Sequence, residues 1–505
     1  MNQLIKAEKY SLKDFYKEFG LIDYPFNVYT AENETQFADD IFVHPEGYDA
    51  IKSSFDSKRS IIIRGNRGTG KTALINDLYK NAPSSSLLCT IDDYSELSLS
   101  PQMSEYYSLI IASLVTSLFH RLFDSTNRID RLNRDDKEFL SFLLSEYTTP
   151  TTKSELIRKI EEIQLSRIKR FIKKHFNIIR AIINYGLNVG VNILNDVIRS
   201  HYGLLPPVEE SHVRDLIPKI SLETETDFNQ AKISYNLLTR VCALIDKLGY
   251  SRIILFFDKF DEDSRLENNA EAVSEFIKPL LTENKLLENP NIQIIISVWE
   301  VPFSRILSEV RSQKHHCPLL SWSKKKLEDA LNRRLFVFSQ SAISNYQEIF
   351  DSEISEDIID EIFTLSNGNP RDLWHIFNSI IQSQYSIDSH SNRLSLQAIE
   401  DGLKSFVVSF NFYEYYPRRP NAKANAMDVY SYIKHLLKLP KEVFTKNQLN
   451  EYAKTGSSTS NYVIGMEQIG LVVNTYEKDK GGVVYKINDP KVIFAMKNDL
   501  DISKR

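Results

Sequence analysis

The eight residues Gly65-Asn66-Arg67-Gly68-Thr69-Gly70-Lys71-Thr72 constrain this chain more than any other stretch. A short apolar run, residues 60–63, precedes them and an apolar-periodic one, residues 73–79, follows. The pattern therefore predicts a buried strand, a glycine-rich turn and a helix. In that setting G-x-x-x-x-G-K-T is a phosphate-binding loop. Glycines let successive backbone N–H groups and the helix N-terminus face an anion. Lys71 is predicted to reach the β- and γ-phosphates, and the Thr72 hydroxyl to ligate Mg2+. A fortuitous glycine-rich turn is the alternative, and the flanking strand and helix patterns argue against it. The expectation is a chain that binds a nucleoside triphosphate.

Downstream residues fall in the order such a site needs. Residues 251–257 form an apolar strand ending in Asp258, an acid placed to hold the water shell of Mg2+ beside the loop. Lys259 follows directly, where many such sites carry a glutamate that polarises water. The base is then Asp261 or Glu262, or is missing. Residues 291–297 read as a further parallel strand, with Ser297 at its polar end placed to sense the γ-phosphate or simply to end the strand. Arg333 and Arg334, on a helix over residues 327–336, are candidates to reach a neighbouring subunit's γ-phosphate; a solvated helix pair is the alternative. In Asn367-Gly368-Asn369-Pro370-Arg371 one helix ends and another begins. A cation in a first helical turn is unfavourable unless an anion compensates, and a bound phosphate would be that anion for Arg371.

A chain of 505 residues exceeds one core and predicts several domains. We expect an N-terminal arm (1–45), a nucleotide-binding core (46–320) interrupted by a helical insertion (about 103–250), a helical lid (321–416) and a small C-terminal domain (421–505). Aromatics in the arm (Phe15, Phe19, Tyr24, Phe26) are expected to pin it onto the next domain. A net charge of −5 argues against a general cationic coat, while leaving room for local basic faces. Cys89, Cys242 and Cys317 lack disulfide or zinc spacing, and the start lacks a signal-like apolar core. A reducing cytoplasm is expected.

Within the insertion, residues 157–174 carry a basic run (Arg158, Lys159, Arg167, Lys169, Arg170, Lys173, Lys174). A polar stripe then recurs every four residues over 177–199, with the small pair Gly186 and Gly190. The segment suits three roles: a helical insertion packed on the core, a basic helix contacting nucleic acid or a partner, or a membrane-associated hairpin. We favour the first. After the basic, proline-bounded joint at 415–420, three helices, a strand, a Gly481-Gly482 tip and a second strand make a winged-helix order. Its third helix offers Ser457, Ser458, Thr459, Ser460, Asn461 and Tyr462 without Arg or Lys, so DNA binding and protein docking both remain open.

The Gly-x-Arg-Gly-Thr-Gly-Lys-Thr loop, the Asp258-x-x-Asp261-Glu262 acids and Asn367-Gly368-Asn369-Pro370-Arg371 ahead of a winged helix resemble the initiator-like and STAND branches of the AAA+ ATPases. These include origin-recognition-type proteins, KAP-type NTPases and bacterial P-loop ATPases found among phage-defence genes. The resemblance spans about 46–92, 250–415 and, less specifically, 425–500. It implies a parallel α/β P-loop sheet with helices on both faces, a helical lid and a C-terminal winged helix. It also implies ATP and Mg2+ as cofactors, Lys71 and Thr72 as phosphate and Mg2+ ligands, Asp258 in the Mg2+ shell, and Arg371 as the sensor arginine of the lid. Lys259 departs from the usual acid of the initiator branch, which puts fast turnover in doubt. The implied function is an ATP-hydrolysing switch, working as a homo-oligomer and engaging DNA through the winged helix and the 158–174 helix. A scaffold ATPase gating a separate effector protein is the alternative, and a membrane-associated KAP-type NTPase a more distant one.

Overall fold

A computed structural model describes residues 10–30, 34, 37–124, 126–147, 227–418, 427–479 and 481–503. The basic run at 157–174, the polar stripe at 177–199 and the proline-rich stretch at 206–211 lie outside the described residues. The described chain begins at α1 (Leu12–Glu18) and enters the core through α2 (Tyr48–Asp56). β1 (Ile61–Gly65) then leads into α3 (Lys71–Lys80), and β2 (Ser86–Ile91) into α4 (Met103–Asp124) and α5 (Arg134–Tyr147). The described chain resumes at α6 (Asp227–Lys247), which with α4 and α5 falls within the expected insertion, and continues through β3 (Arg252–Phe257), α7 (Ala270–Thr282), β4 (Ile292–Trp299) and α8 (Glu300–Ile306).

The four strands form one parallel sheet in the order β1-β4-β3-β2. Residues 316–320 run alongside the outer edge of β1: Ile62 N–H donates to the His316 carbonyl at 2.9 Å, and Leu320 N–H to that of Arg64 at 2.7 Å. Pro318 suits this rim, because an edge strand tolerates a residue without an N–H. The strands read as unbroken apolar runs because both faces are covered. On β3, Ile253, Leu255 and Phe257 face one core with α4, α5 and α6, while Ile254 and Phe256 face another with α2 and α3. Each such side chain contributes about 1.5–3 kcal/mol on full burial. The run ends at the carboxyl edge, so the next residue, Asp258, emerges where parallel α/β sheets bind ligands.

Beyond the sheet, α9 (Lys324–Phe338), α10 (Glu356–Leu365), α11 (Pro370–Ile387) and α12 (Leu396–Ser409) form the lid. α11 and α12 approach closely at Gly402, where a Cβ would lie 2.5 Å from the Ile380 Cα. The C-terminal unit contains α13 (Val429–Leu436), β5 (Val443–Thr445), α14 (Lys446–Ala453), α15 (Thr459–Gln468), β6 (Val472–Asp479), β7 (Gly482–Ile487) and α16 (Pro490–Lys497). Its strands pair antiparallel in the order β5-β7-β6. The order is that of a winged helix, with the short β5 and the closing α16 added to the elements legible in the sequence.

The arm, the lid and the C-terminal unit share a third core. The aromatic arm departs here from expectation. It packs on the lid rather than on the adjoining sheet domain, because α11 offers rings of matching size: Phe26 stacks on Phe377 at 5.3 Å, and the Tyr24 hydroxyl donates to Asn378 at 2.7 Å. At the other end of this core lies Lys491 on α16, completely buried. Its ammonium is 2.8 Å from the Asp372 carboxylate on α11 and 4.4 and 4.6 Å from the ring centres of Phe410 and Tyr415. The Tyr415 hydroxyl donates to the same carboxylate at 2.6 Å. Removing one partner of such a pair strands the other charge in a poorly polarisable interior. Lys491→Met is therefore expected to lower the stability of the lid–winged-helix unit by about 3–5 kcal/mol. Urea unfolding followed by fluorescence of the lid tryptophans checks this, and a loss below about 1 kcal/mol would contradict a structural role for the ion pair.

Candidate functional site

β1 ends at Gly65, and the loop to α3 closes on itself. The Thr69 hydroxyl donates to the Asn66 carbonyl at 2.8 Å, and the Lys71 ammonium spans the loop to the carbonyls of Gly65 and Asn66 at 3.0 and 2.9 Å. Gly70, at φ +87°, turns the chain into α3. Burial pulls Lys71 below the ordinary lysine range, against the opposing pull of the Asp261 and Asp258 carboxylates. Thr72, in the first turn, donates its hydroxyl to the Asp258 carboxylate at 2.7 Å. β4 lies between β1 and β3 and sets Ser297 beside Asp258, where the serine hydroxyl donates to the other carboxylate oxygen. Ser297 is only 2% exposed and stands behind Asp258, with its hydroxyl on the carboxylate.

The acids after β3 diverge. Lys259 adopts φ +64°, turning the chain off the strand, and its ammonium lies 3.8 Å from Asp92 at the end of β2. Asp261 is tied to the phosphate loop. Arg67 donates through Nε to its carboxylate at 2.5 Å and through Nη2 to its carbonyl at 2.8 Å, with the guanidinium 4.4 Å above the Trp299 ring. Glu262 is the more exposed of the two candidate bases and lines the same cavity.

The lid meets the loop at Asn369, the N-cap of α11. Its side-chain oxygen accepts from the Arg371 N–H at 3.0 Å, while its amide donates to the Arg67 carbonyl at 2.7 Å and to the Tyr415 hydroxyl at 2.6 Å. Arg371 lies in that first turn, lining the cavity, with Nη1 3.7 Å from a carboxylate oxygen of Glu414. Its Nε is buried without a protein acceptor among the described residues. From the approach to α9, Trp322 donates its indole N–H to the Thr69 carbonyl at 2.9 Å.

The two lid arginines separate. Arg334 is 2% exposed, donates to the Pro25 carbonyl and pairs with Glu34 of the arm. Its guanidinium also sits 4.8 Å from the Trp374 ring centre. The expectation that it reaches a neighbouring subunit is corrected, because the arm folds over it and its charge is satisfied within its own chain. Arg333 stays exposed, with its Nε donating to the Asp40 carbonyl.

Lys71, Thr72, Asp258, Asp261, Glu262 and Arg371 line a cavity of about 1060 Å³ between the sheet edge, the arm and the lid, whereas Ser297 and Arg333 do not line it. Tyr29, Phe42 and Val43 of the arm and Trp374 of the lid make an apolar wall, and the loop and strand-end acids make a polar one. The group set fits a Mg2+-bound triphosphate: a hydroxyl and a carboxylate 2.7 Å apart are the hard oxygens such a cation takes, and Arg371, whose buried Nε has no acceptor among the described residues, brings a guanidinium to the cavity wall. Sequence reading missed Trp322, Glu414 and the partner of Asp261. A lone tryptophan between two serines is a faint signal for the first, and Glu414 carries none.

No protein-family model matches the chain, and no curated protein sequence matches it. Among solved structures, the Aeropyrum pernix ORC2 protein in its ADPNP–ADP complexes aligns at 11% identity over 92% of this chain and 97% of its own length, with a TM-score of 0.41. The P-loop α/β architecture rests on the sheet, loop and lid described above.

Gly68 shows how tightly lid and loop fit. It sits at φ +82°, and a Cβ there would lie 2.6 Å from Asn369 Oδ1 and 2.9 Å from Arg371 Cβ. Gly20 has nearly the same backbone, at φ +81°, with nothing within 4 Å. Ala at either position pays about 1–2 kcal/mol of left-handed strain. We expect Gly68→Ala to lower the melting temperature clearly more than Gly20→Ala, because only the former also displaces the lid. Equal shifts in thermal unfolding would mean that the lid does not rest on the loop.

Proposed function

We propose that this protein is an ATP-binding and ATP-hydrolysing switch of the initiator-like AAA+ kind, in which nucleotide state positions the lid and its winged helix. The observation that carries this is the convergence of Lys71, the Thr72–Asp258 pair and the lid's Arg371 on one cavity. Lys71 and Arg371 would hold the terminal phosphates, with the backbone N–H groups of residues 66–70 wrapping them. Thr72 and Asp258 would hold Mg2+, which supplies neutralisation of phosphate charge. Ser297 keeps the Asp258 carboxylate in place, and Arg67 holds Asp261 against the loop. Glu262 lines the same cavity and is more exposed than Asp261, and we assign it to orient a water for in-line attack. Preference for ATP over GTP rests on the family resemblance alone.

Of the adjacent pair Arg333 and Arg334, Arg333 has the exposed side chain, and in an assembly of several copies we assign it the role of reaching a neighbour's site. DNA engagement would fall to the winged helix, whose wing presents Tyr476, 90% exposed, beside Lys478. A second reading, docking of a separate effector protein, is favoured by a specific feature: α15 has no Lys or Arg, while Tyr452, Ile464 and Val473 are exposed on the same unit. No helix among the described residues is long and apolar enough to cross a membrane.

The test is ATP binding and hydrolysis by the full-length chain, with and without double-stranded DNA. Lys71→Ala is expected to weaken binding at least tenfold, and Asp258→Ala to abolish Mg2+-dependent hydrolysis. DNA should raise the rate in a salt-dependent manner. Full nucleotide affinity in Lys71→Ala would overturn the proposal. A slow rate indifferent to DNA, with a co-purifying protein, would transfer it to the effector-docking form.

A further inference from the structure

Between α12 and the winged helix, the segment Tyr413–Tyr416 touches the phosphate loop, the turn after β3 and the start of α11. The Tyr413 carbonyl accepts from Arg67 Nη1 at 3.5 Å and from the Asn268 amide at 2.9 Å, so it joins the phosphate loop to the turn after β3. Glu414 pairs with Arg371, and the Tyr415 hydroxyl bridges Asn369 and Asp372. The same four residues hold the winged helix at two points. The Tyr413 hydroxyl donates to Asp428, the N-cap of α13, at 2.6 Å, and the Tyr416 hydroxyl to Asp489, the N-cap of α16, at 2.8 Å.

Glu414 is the residue in this strap with a chemical consequence. Its carboxylate lines the cavity and sits 3.7 Å from the Arg371 guanidinium, with side chains 49% and 30% exposed. A partly solvated pair at that distance is weak and exchangeable. Arg371 also keeps a buried Nε without an acceptor among the described residues, so the guanidinium can take another anion. A triphosphate offers one at its far end; a diphosphate is one phosphoryl group shorter.

We propose that Glu414 is a built-in competitor for the terminal phosphate, so that Arg371 exchanges Glu414 for it and the released strap carries the change to the winged helix. The proposal rests on the nucleotide-site reading above. It makes Glu414 a determinant of discrimination between nucleoside triphosphate and diphosphate, and residues 413–416 the element through which the site reports outwards. No bond is made or broken in this step; one ion pair replaces another.

The experiment measures dissociation constants of fluorescent ATP and ADP analogues with Mg2+, on full-length wild type, Glu414→Gln and the double variant Glu414→Gln/Arg371→Ala. Removing a weak competing charge is expected to tighten ATP about two- to fivefold in Glu414→Gln while leaving ADP unchanged. The gain should vanish in the double variant. Hydrogen exchange provides an independent readout: a non-hydrolysable ATP analogue, and not ADP, should alter protection of residues 411–418 and of α16. Equal changes for the two nucleotides in Glu414→Gln, or identical exchange of 411–418 with both, would overturn the proposal. If wild type binds both nucleotides in a Lys71-dependent manner and the ratio does not move, only the role of Glu414 falls. If it binds neither, the nucleotide-site reading falls with it.

Discussion

One side-chain amide links the lid to the phosphate loop and to everything beyond it. Asn369 caps α11 with its oxygen, and with its nitrogen it holds the Arg67 carbonyl and the Tyr415 hydroxyl. A shift of the loop backbone is therefore felt at once by the helix start that presents Arg371 and by the strap leading to the winged helix. The absence of a side chain at Gly68 lets this happen, since the Asn369 oxygen occupies the space a Cβ would take. A hydrogen bond of this kind contributes only about 0.5–1.5 kcal/mol net. The contact positions the lid without locking it.

Charge explains why such a site calls for a divalent cation. Nine carboxylates and six cationic side chains line the cavity among the described residues, so its sign is that of the ligand it would receive. Three of the cations are already engaged at short range, Arg67 with Asp261, Arg334 with Glu34 and Lys80 with Asp39. Lys71 is spread over loop carbonyls. The Thr72–Asp258 pair is the place where hard oxygens meet beside the loop, and a cation there would offset the acidic excess that a triphosphate otherwise meets.

The parts legible in the sequence were those with local signals. The glycine spacing at 65–72, the apolar run ending at Asp258 and the Asn369-Pro370-Arg371 helix start each carry their geometry within a few residues. The parts that were not legible depend on partners far along the chain. Arg334 reads as half of an exposed pair until the arm, some 300 residues earlier, folds over it. Ser297 reads as a strand end until the crossover order sets it behind Asp258. Glu414 sits in an aromatic joint with no pattern of its own, and only the folding of that joint back onto the loop gives it a partner. Lys491 would be taken for a surface residue of a short amphipathic helix, whereas α16 is driven inward by Val492, Phe494 and Ala495 and takes the lysine with it.

The three hydrophobic cores show where the molecule can yield. Two of them clamp the sheet, one on each face, and the third joins the arm, the lid and the winged helix across the length of the chain. Around the phosphate loop these bodies meet through polar contacts: Asn369 and Trp322 on loop carbonyls, Arg67 and Asn268 on the Tyr413 carbonyl, and the Arg418 N–H on the Asn268 carbonyl at 3.0 Å. At about 1 kcal/mol each, five such bonds amount to about 5 kcal/mol. That is close to the roughly 5.5 kcal/mol by which a ligand must favour one state to invert a two-state population from 1:99 to 99:1. Opening any of the three cores would cost far more. A ligand bound along this line of polar contacts therefore has the leverage to move the third body as a unit, with the winged helix carried on the lid through Lys491 and Asp372.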